Sequence, residues 1–231
     1  MPLATGHRTQ EILKLLEREF SLEYREFVAL IARRSGDPFK ILVATILSQN
    51  TNDRNSKVAL ERLESKFNIK PEVLSKASLE EIMDAIRPAG LQAQKAKTIK
   101  IVSDIIMNKY RGKLEKILKK PLESARRELI SMPGIGPKTA DVLLLFSLGL
   151  PTIPVDTHVM RVSKRIGLVP KSGGYEVVRE SLMANFDPAD YLKVHLLFIK
   201  LGRTYCRSKK PLCSKCPIKR LCDFGSATNS K

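Results

Sequence analysis

The chain has 231 residues, of which 43% are hydrophobic, so it can form one large domain or two small lobes with a shared core. Its 41 lysine and arginine residues exceed its 24 aspartate and glutamate residues, giving a formal net charge of +17. This excess favours a polyanionic partner such as nucleic acid, although charge alone leaves an acidic membrane surface or a generic solubility surface as alternatives. No apolar run approaches the roughly 20 residues that a membrane span needs, and the N-terminus lacks the apolar core of a secretory signal. We therefore expect a cytoplasmic, chromosome-associated protein that does not bind membranes.

Apolar residues recur at helical spacing along most of the chain, and clusters of proline and glycine separate these segments. The first such face carries Ile12, Leu16 and Phe20, each four residues after the last. Two further faces consist of Ile99, Val102, Ile105 and Ile106, and of Leu122, Ala125, Leu129 and Met132. No stretch between turn signals alternates with the period of two that a strand would need. The sequence therefore predicts an all-α fold.

The segments group into four predicted regions. Residues 1–36 are predicted to form N-terminal helices that pack with a C-terminal lobe. Residues 37–148 are predicted to form a helical bundle, and residues 149–222 the C-terminal lobe. The polar residues 223–231 are predicted to be a flexible tail.

A glycine-containing turn between two predicted helices is the most informative segment. One helix is predicted to end near Met132 and the next to begin at Pro137, because proline is favoured at the first helical position. Two glycines in the turn permit positive φ and leave no side chain between the backbone and a partner. The N–H groups at the start of the second helix then form a site suited to a DNA phosphate, although a plain helix–helix turn could also use two glycines. The residues predicted to contact DNA are Pro133, Gly134, Ile135, Gly136 and Thr139.

Lys138 lies in the first turn of the second helix and has two interpretations. As a surface residue it would pair with Asp141, three positions later. As an amine that has lost its proton it would be a covalent nucleophile. The residues around it do not decide between these roles.

Asp156 precedes an amphipathic segment that Gly167 should end. The apolar face of this segment carries Val159, Val162 and Ile166. This position predicts an N-cap, which is a sufficient reason for an aspartate here. A second role is compatible with capping, because a carboxylate can stabilise cationic sugar character while a base departs.

All four cysteines lie close together, at Cys206, Cys213, Cys216 and Cys222. A disulfide framework would spread cysteines along the chain, so this cluster indicates a metal centre. Only one C-x-x-C pair is present, and the spacing alone is equally compatible with zinc and with an iron–sulfur cluster.

Together these segments resemble the endonuclease III family of helix-hairpin-helix DNA glycosylases, from about Pro38 to Cys222. The hairpin resembles the family's hairpin with its catalytic lysine at Lys138, and the segment around Asp156 resembles the family's aspartate motif. The cysteine spacing resembles the family's four-iron four-sulfur loop. The resemblance implies a monomer with two helical lobes, a DNA-binding cleft between them and a C-terminal iron–sulfur loop.

The resemblance also implies a function in base excision repair on double-stranded DNA with a damaged base or an abasic site. Lys138 would attack C1′ of a flipped-out oxidised pyrimidine nucleotide and form a Schiff base. β-Elimination would then cut the strand, and Asp156 would assist the loss of the base. The implied activity is that of a bifunctional DNA glycosylase and AP lyase.

Two loops resemble the family's segments that enter the DNA stack. In the first loop, either Gln49 or Asn50 could fill the position vacated by the flipped base. In the second loop, Leu91 is the candidate for intercalation. The alternative for Leu91 is a core leucine that follows a turn.

Two other functions remain as alternatives. One is a monofunctional mismatch DNA glycosylase that removes thymine or uracil, and the other is a non-catalytic helix-hairpin-helix module that only binds DNA. Monofunctional relatives generally lack a lysine at the position of Lys138, so this residue favours lyase activity.

Overall fold

The computed structural model describes residues 5–23 and 26–227. These residues form fourteen α-helices with short 3₁₀ turns and no β-strand, which confirms the predicted all-α fold. Within the same residues, no helix combines the length and the apolar character needed to cross a membrane.

The helices are α1 (Thr5–Glu19), α2 (Val28–Arg33), α3 (Pro38–Ser48), α4 (Asp53–Lys66), α5 (Pro71–Leu74), α6 (Leu79–Ala85), α7 (Gln92–Tyr110), α8 (Glu115–Leu118), α9 (Leu122–Ile130), α10 (Pro137–Leu148), α11 (Thr157–Ile166), α12 (Tyr175–Asn185), α13 (Tyr191–Thr204) and α14 (Asp223–Ala227).

The chain divides into two compact units. One unit is the continuous segment Glu23–Leu150, and the other combines Met1–Leu22 with Pro151–Lys231. Helix α2 packs against α3 and α10 of the continuous unit. The predicted grouping of residues 1–36 with the C-terminal lobe is therefore corrected for α2, which packs with the helical bundle.

Helix α3 forms the centre of the continuous unit. Asp37 caps its N-terminus by accepting hydrogen bonds from the N–H groups of Phe39 and Lys40, and Pro38 occupies the first helical position. From Pro38 to Leu47 every residue except Lys40 is buried. A helix that is apolar on nearly all faces must be covered on nearly all faces, and α2, α4, α7 and α10 pack against α3.

In the other unit, α11 packs closely against α13. A Cβ atom on Gly202 would lie 2.8 Å from the Cβ of His158, so only glycine permits this approach. The backbone O of Gly202 also accepts a hydrogen bond from Arg161 at 3.0 Å. These contacts fix the N-terminal half of α11 to the C-terminal end of α13.

The N-terminal helix belongs to this same unit through Arg8. The guanidinium of Arg8 donates to the backbone O of Ile166 at 2.6 Å and of Leu221 at 2.9 Å. It also pairs with Asp223, the first residue of α14. The helix Asp223–Ala227 corrects the predicted flexible tail for these five residues, and residues 228–231 lie outside the described part of the chain.

Candidate functional site

The turn between α9 and α10 depends on Gly134. Its φ is +83°, and a Cβ atom there would lie 2.5 Å from Oγ1 of Thr98. The turn is closed by a hydrogen bond of 3.1 Å from the N–H of Ile135 to the O of Met132, and the side chain of Ile135 is buried beneath it. Helix α10 begins at Pro137, as predicted from the sequence.

The first turn of α10 presents a set of backbone donors. Gly136 is the N-cap and supplies no side chain, and Pro137 has no N–H. The N–H groups of Gly136, Lys138 and Thr139 have no acceptor among the described residues. Donors of this kind at the positive end of a helix dipole form an anion site.

The side chain of Lys138 is exposed and forms no hydrogen bond or ion pair within the described part of the chain. The alternative partner, Asp141, is fully buried and pairs instead with Arg126, through Nε to Oδ1 at 2.9 Å and NH2 to Oδ2 at 3.3 Å. This buried ion pair joins α9 to α10. The structure therefore does not use Lys138 as a pairing residue for Asp141.

Gln49 is bound to the hairpin. Its Nε2 donates to the backbone O of Gly134 at 3.3 Å and to Oγ1 of Thr139 at 3.1 Å. The side chain of Thr139 is buried, so this hydroxyl supports the turn from within the unit. The next residue, Asn50, is exposed and has a left-handed backbone with φ of 50°. These two neighbours, which the sequence did not separate, thus have different environments.

Leu91 also has a left-handed backbone, with φ of 49°, and its side chain is 54% exposed. The alternative of a core leucine is therefore wrong. Left-handed conformations are strained for a residue with a Cβ, and such strain is concentrated at functional sites. Asn50 and Leu91 share this rare backbone, and both belong to the Glu23–Leu150 unit.

Lys95 is a buried residue that the sequence analysis missed. It is 2% exposed, and its Nζ donates to Leu47 O at 2.8 Å, Thr51 Oγ1 at 2.6 Å and Ala89 O at 2.9 Å. Burial lowers the pKa of Lys95 to about 8. One signal could have revealed it, because a spacing of four residues places Lys95 on the same buried helical face as Ile99.

Asp156 lies in the other unit and caps α11, which confirms the predicted N-cap. Its Oδ1 accepts hydrogen bonds from the N–H groups of His158 and Val159, both at 2.8 Å. Burial lowers the pKa of His158, and the His158 ring lies 3.0 Å from NH2 of Arg161. Arg161 also donates to the backbone O of Cys206 at 2.9 Å. The helix that carries Asp156 is thus fixed to the start of the cysteine loop.

The four cysteines line one cavity, together with apolar side chains. These are Ile166, Leu201, Ile218 and Phe224. Arg165 donates to Sγ of Cys206 at 3.5 Å, and the N–H of Gly225 donates to Sγ of Cys222 at 3.3 Å. Burial raises the pKa of Cys216 to about 11 and raises the pKa of Cys222 as well. Within residues 5–23 and 26–227, no three His, Cys, Asp or Glu side chains are placed to hold a metal ion.

This donor set is compatible with a metal centre that has sulfur ligands. The four thiols line one cavity, and N–H groups point to two of the sulfurs, as is common around iron–sulfur clusters.

Residues 43–188 match the HhH-GPD superfamily of base excision DNA repair proteins. Endonuclease III of Sulfolobus acidocaldarius is 36% identical over 211 residues, which cover 90% of this chain and 92% of that protein. Endonuclease III of Thermotoga maritima is 34% identical, with 87% and 90% covered. A solved non-covalent endonuclease III–DNA complex superposes with a TM-score of 0.81 at 30% identity, covering 99% of this chain and 100% of that one.

Proposed function

This chain belongs to the endonuclease III family, within the HhH-GPD superfamily of base excision DNA repair proteins, and from that premise we propose that it is a bifunctional enzyme that removes oxidised pyrimidines. Membership of the family makes it a DNA N-glycosylase of base excision repair. The proposal adds an AP lyase activity. The single observation that carries it is Lys138, an exposed amine without a partner among residues 5–23 and 26–227, placed beside three N–H donors that are also unbonded there.

In the proposed reaction, the neutral Nζ of Lys138 attacks C1′ of the damaged nucleotide, and the C1′–N bond breaks. The base leaves with the electron pair of that bond and takes up a proton. The amine nitrogen then gives up one proton, and O4′ takes up a proton as the C1′–O4′ bond breaks. The open sugar is now a protonated Schiff base, which acidifies the C2′ hydrogens. Loss of a C2′ proton expels the 3′ phosphate by β-elimination, and water later releases the lysine. Asp156 would assist the first step by stabilising cationic character on the sugar.

The DNA backbone is proposed to bind at the first turn of α10. Its free N–H groups suit a phosphate oxygen, and Gly134, Gly136 and Pro133 leave the turn without bulky polar side chains. Because the side chain of Thr139 is buried, this residue would contribute through its backbone N–H, whereas Ile135, whose N–H is bonded to Met132 O, would support the shape of the turn.

Two residues are proposed to enter the base stack. Asn50 is favoured over Gln49 for the vacated position, because the amide of Gln49 is already bound to Gly134 and Thr139. Leu91 is favoured as the intercalating residue, because its apolar side chain is 54% exposed and so is available to enter a duplex.

We further propose that Cys206, Cys213, Cys216 and Cys222 hold a four-iron four-sulfur cluster with a structural role. Bound there, the cluster would organise the basic loop that carries Arg207, Lys209 and Lys210. The purified protein is expected to absorb visible light and to contain iron and acid-labile sulfide in equal amounts. A colourless protein with stoichiometric zinc, measured by elemental analysis, would contradict this assignment.

Borohydride trapping tests the role of Lys138. Reduction should link the wild-type protein to a duplex that contains thymine glycol or an abasic site, since only an amine nucleophile gives a reducible Schiff base. Lys138→Gln should give no adduct and no incision, while binding of an uncleavable abasic duplex stays near the wild-type affinity. The matched control is Lys119→Gln, which changes another exposed lysine of the same unit.

Two outcomes would contradict the proposal. Trapping of Lys138→Gln at the wild-type level would assign the nucleophile to another amine. Base release by the wild type without any adduct would identify a monofunctional glycosylase.

A further inference from the structure

We propose that Lys95 is a positioning residue that holds two loops together, so that Asn50 and Leu91 enter the DNA as one unit. The Asn50 loop is defined here as residues 49–52 and the Leu91 loop as residues 89–91. This inference rests on the proposed function, because it takes the two side chains to be those that enter the duplex.

The contacts of Lys95 connect three separate segments. Its ammonium group binds Leu47 O at the end of α3, Thr51 Oγ1 in the Asn50 loop and Ala89 O in the Leu91 loop. An ammonium has three N–H donors, so these contacts use all of them. The hydroxyl of Thr51 in turn donates to Ala89 O. The two loops are thus joined twice, once through the lysine and once directly.

Lys95 is also tied to the backbone of the intercalating residue. Its own N–H donates to the O of Leu91 at 3.0 Å, which forms the first turn of α7. The left-handed backbone of Leu91 is costly for a leucine, whereas asparagine tolerates the same conformation at Asn50, and the Leu91 conformation persists only where surrounding contacts fix it. Lys95 and Thr51 provide such contacts on the inner side of both loops.

Burial of this charge needs a reason beyond packing. Lys95 is 2% exposed and its three acceptors are uncharged, so no ion pair within the described segments offsets the loss of hydration. An apolar side chain would fill the same space at lower cost, but it could not bind three oxygen atoms from separate segments. We infer that the position requires a three-way donor and that its role is to fix the loops.

The experiment measures insertion directly, with a duplex in which 2-aminopurine faces a tetrahydrofuran abasic analogue. Insertion of the loops should unstack the 2-aminopurine and raise its fluorescence. Lys95→Met should reduce this rise. It should also reduce the preference for the analogue duplex over an undamaged duplex about tenfold, which is the size of coupling expected between Lys95 and the loop residues that it contacts. Lys100→Met is the matched control, because Lys100 also lies on α7 and binds two backbone oxygens, of Ser75 and Ala77, away from both loops.

A second variant covers the case in which Lys95→Met does not fold, as checked by circular dichroism. Thr51→Val is nearly isosteric and removes the hydroxyl between Lys95 and Ala89. Like Lys95→Met, it should reduce the fluorescence rise. A double-mutant comparison adds specificity. In an Asn50→Ala/Leu91→Ala background, Lys95→Met should cause no further loss, since its effect acts through those side chains.

The outcomes separate two failures. If the wild type shows neither a fluorescence rise nor a preference for the analogue duplex, the proposed function itself fails. If the wild type shows both and the Lys95 and Thr51 variants match it, or if the Lys95→Met loss is fully additive in the double-alanine background, only the role of Lys95 is overturned.

Discussion

The two glycines of the hairpin have different roles, although they are two residues apart. Gly134 has φ of +83°, and its Cα faces the Thr98 side chain closely. Gly136 has φ of −90° and ψ of 174°, an extended backbone that any residue adopts, and a Cβ there would meet nothing within 4 Å. The fold therefore requires glycine at position 134. At position 136 the absence of a side chain leaves space for a ligand next to the free N–H groups.

Alanine substitutions should separate these roles. Gly134→Ala is expected to lower the free energy of unfolding by about 2 kcal/mol, from the left-handed backbone and the contact with Thr98. Gly136→Ala is expected to lower it by at most about 1 kcal/mol, because alanine reduces the entropy of the unfolded chain but is a poorer N-cap than glycine. Urea denaturation of both variants measures the contrast. Equal destabilisation by the two would show that the turn geometry is wrong.

At the level of elements, the hairpin is held by a buried ion pair between its two helices. Arg126 on α9 and Asp141 on α10 are both less than 10% exposed. A buried carboxylate without its cation is costly, whereas an apolar pair in the same space can be tolerated. The orientation of α10, and with it the direction of the free N–H groups, depends on this contact.

Removal of one partner should therefore cost more than removal of both. Asp141→Ala is expected to destabilise the protein by about 3–5 kcal/mol, and the double variant Arg126→Met/Asp141→Leu by clearly less. Glu61→Ala serves as the control, because its exposed pair with Lys57 should contribute at most about 0.5 kcal/mol. Thermal or urea denaturation gives the values. A double variant as unstable as Asp141→Ala would contradict the claim that the cost comes from a buried charge without its partner.

The elements also show what the sequence could and could not predict. Local signals were sufficient where the determinant is local: the start of α10 at Pro137 and the cap at Asp156 are both confirmed. The family resemblance, which depended on short motifs, is confirmed by matches over most of the chain. Long-range partners could not be predicted. Lys95 binds Leu47, 48 residues away, and no periodicity identifies that contact.

Two of the predicted region boundaries failed for the same reason. The glycine and proline after α2 resemble a division between regions, but the apolar face of this helix packs against α3 and α10. The polar composition of the last residues indicates a flexible tail, yet Asp223 binds Arg8, 215 residues earlier in the chain. Composition describes residues that are close in sequence, whereas the packing of α2 and the pairing of Asp223 depend on residues that are close in space.

For the whole molecule, the net charge of +17 should dominate DNA affinity. Binding of a polycation to DNA releases counterions, and about 6–10 phosphate contacts lose roughly 10³–10⁵ in affinity between 50 and 200 mM salt. We expect the affinity for an undamaged duplex to decrease by a factor within this range between these two salt concentrations. Fluorescence anisotropy at several salt concentrations measures the decrease. The ratio between a damaged and an undamaged duplex should change much less, because base and loop contacts are not ionic. A flat salt response would contradict an interface of this kind.

The pairing of the first helix with the last residues has a consequence for biosynthesis. Arg8 and Leu221 are 213 residues apart, so a ribosome that adds about 5–20 residues per second exposes α1 for roughly 10–40 s before its partner emerges. During that interval the continuous segment Glu23–Leu150 can already fold, while Ile12 and Leu16, fully buried in the finished protein, stay in contact with water. The nascent N-terminus thus leaves an apolar helix face uncovered until translation is nearly complete.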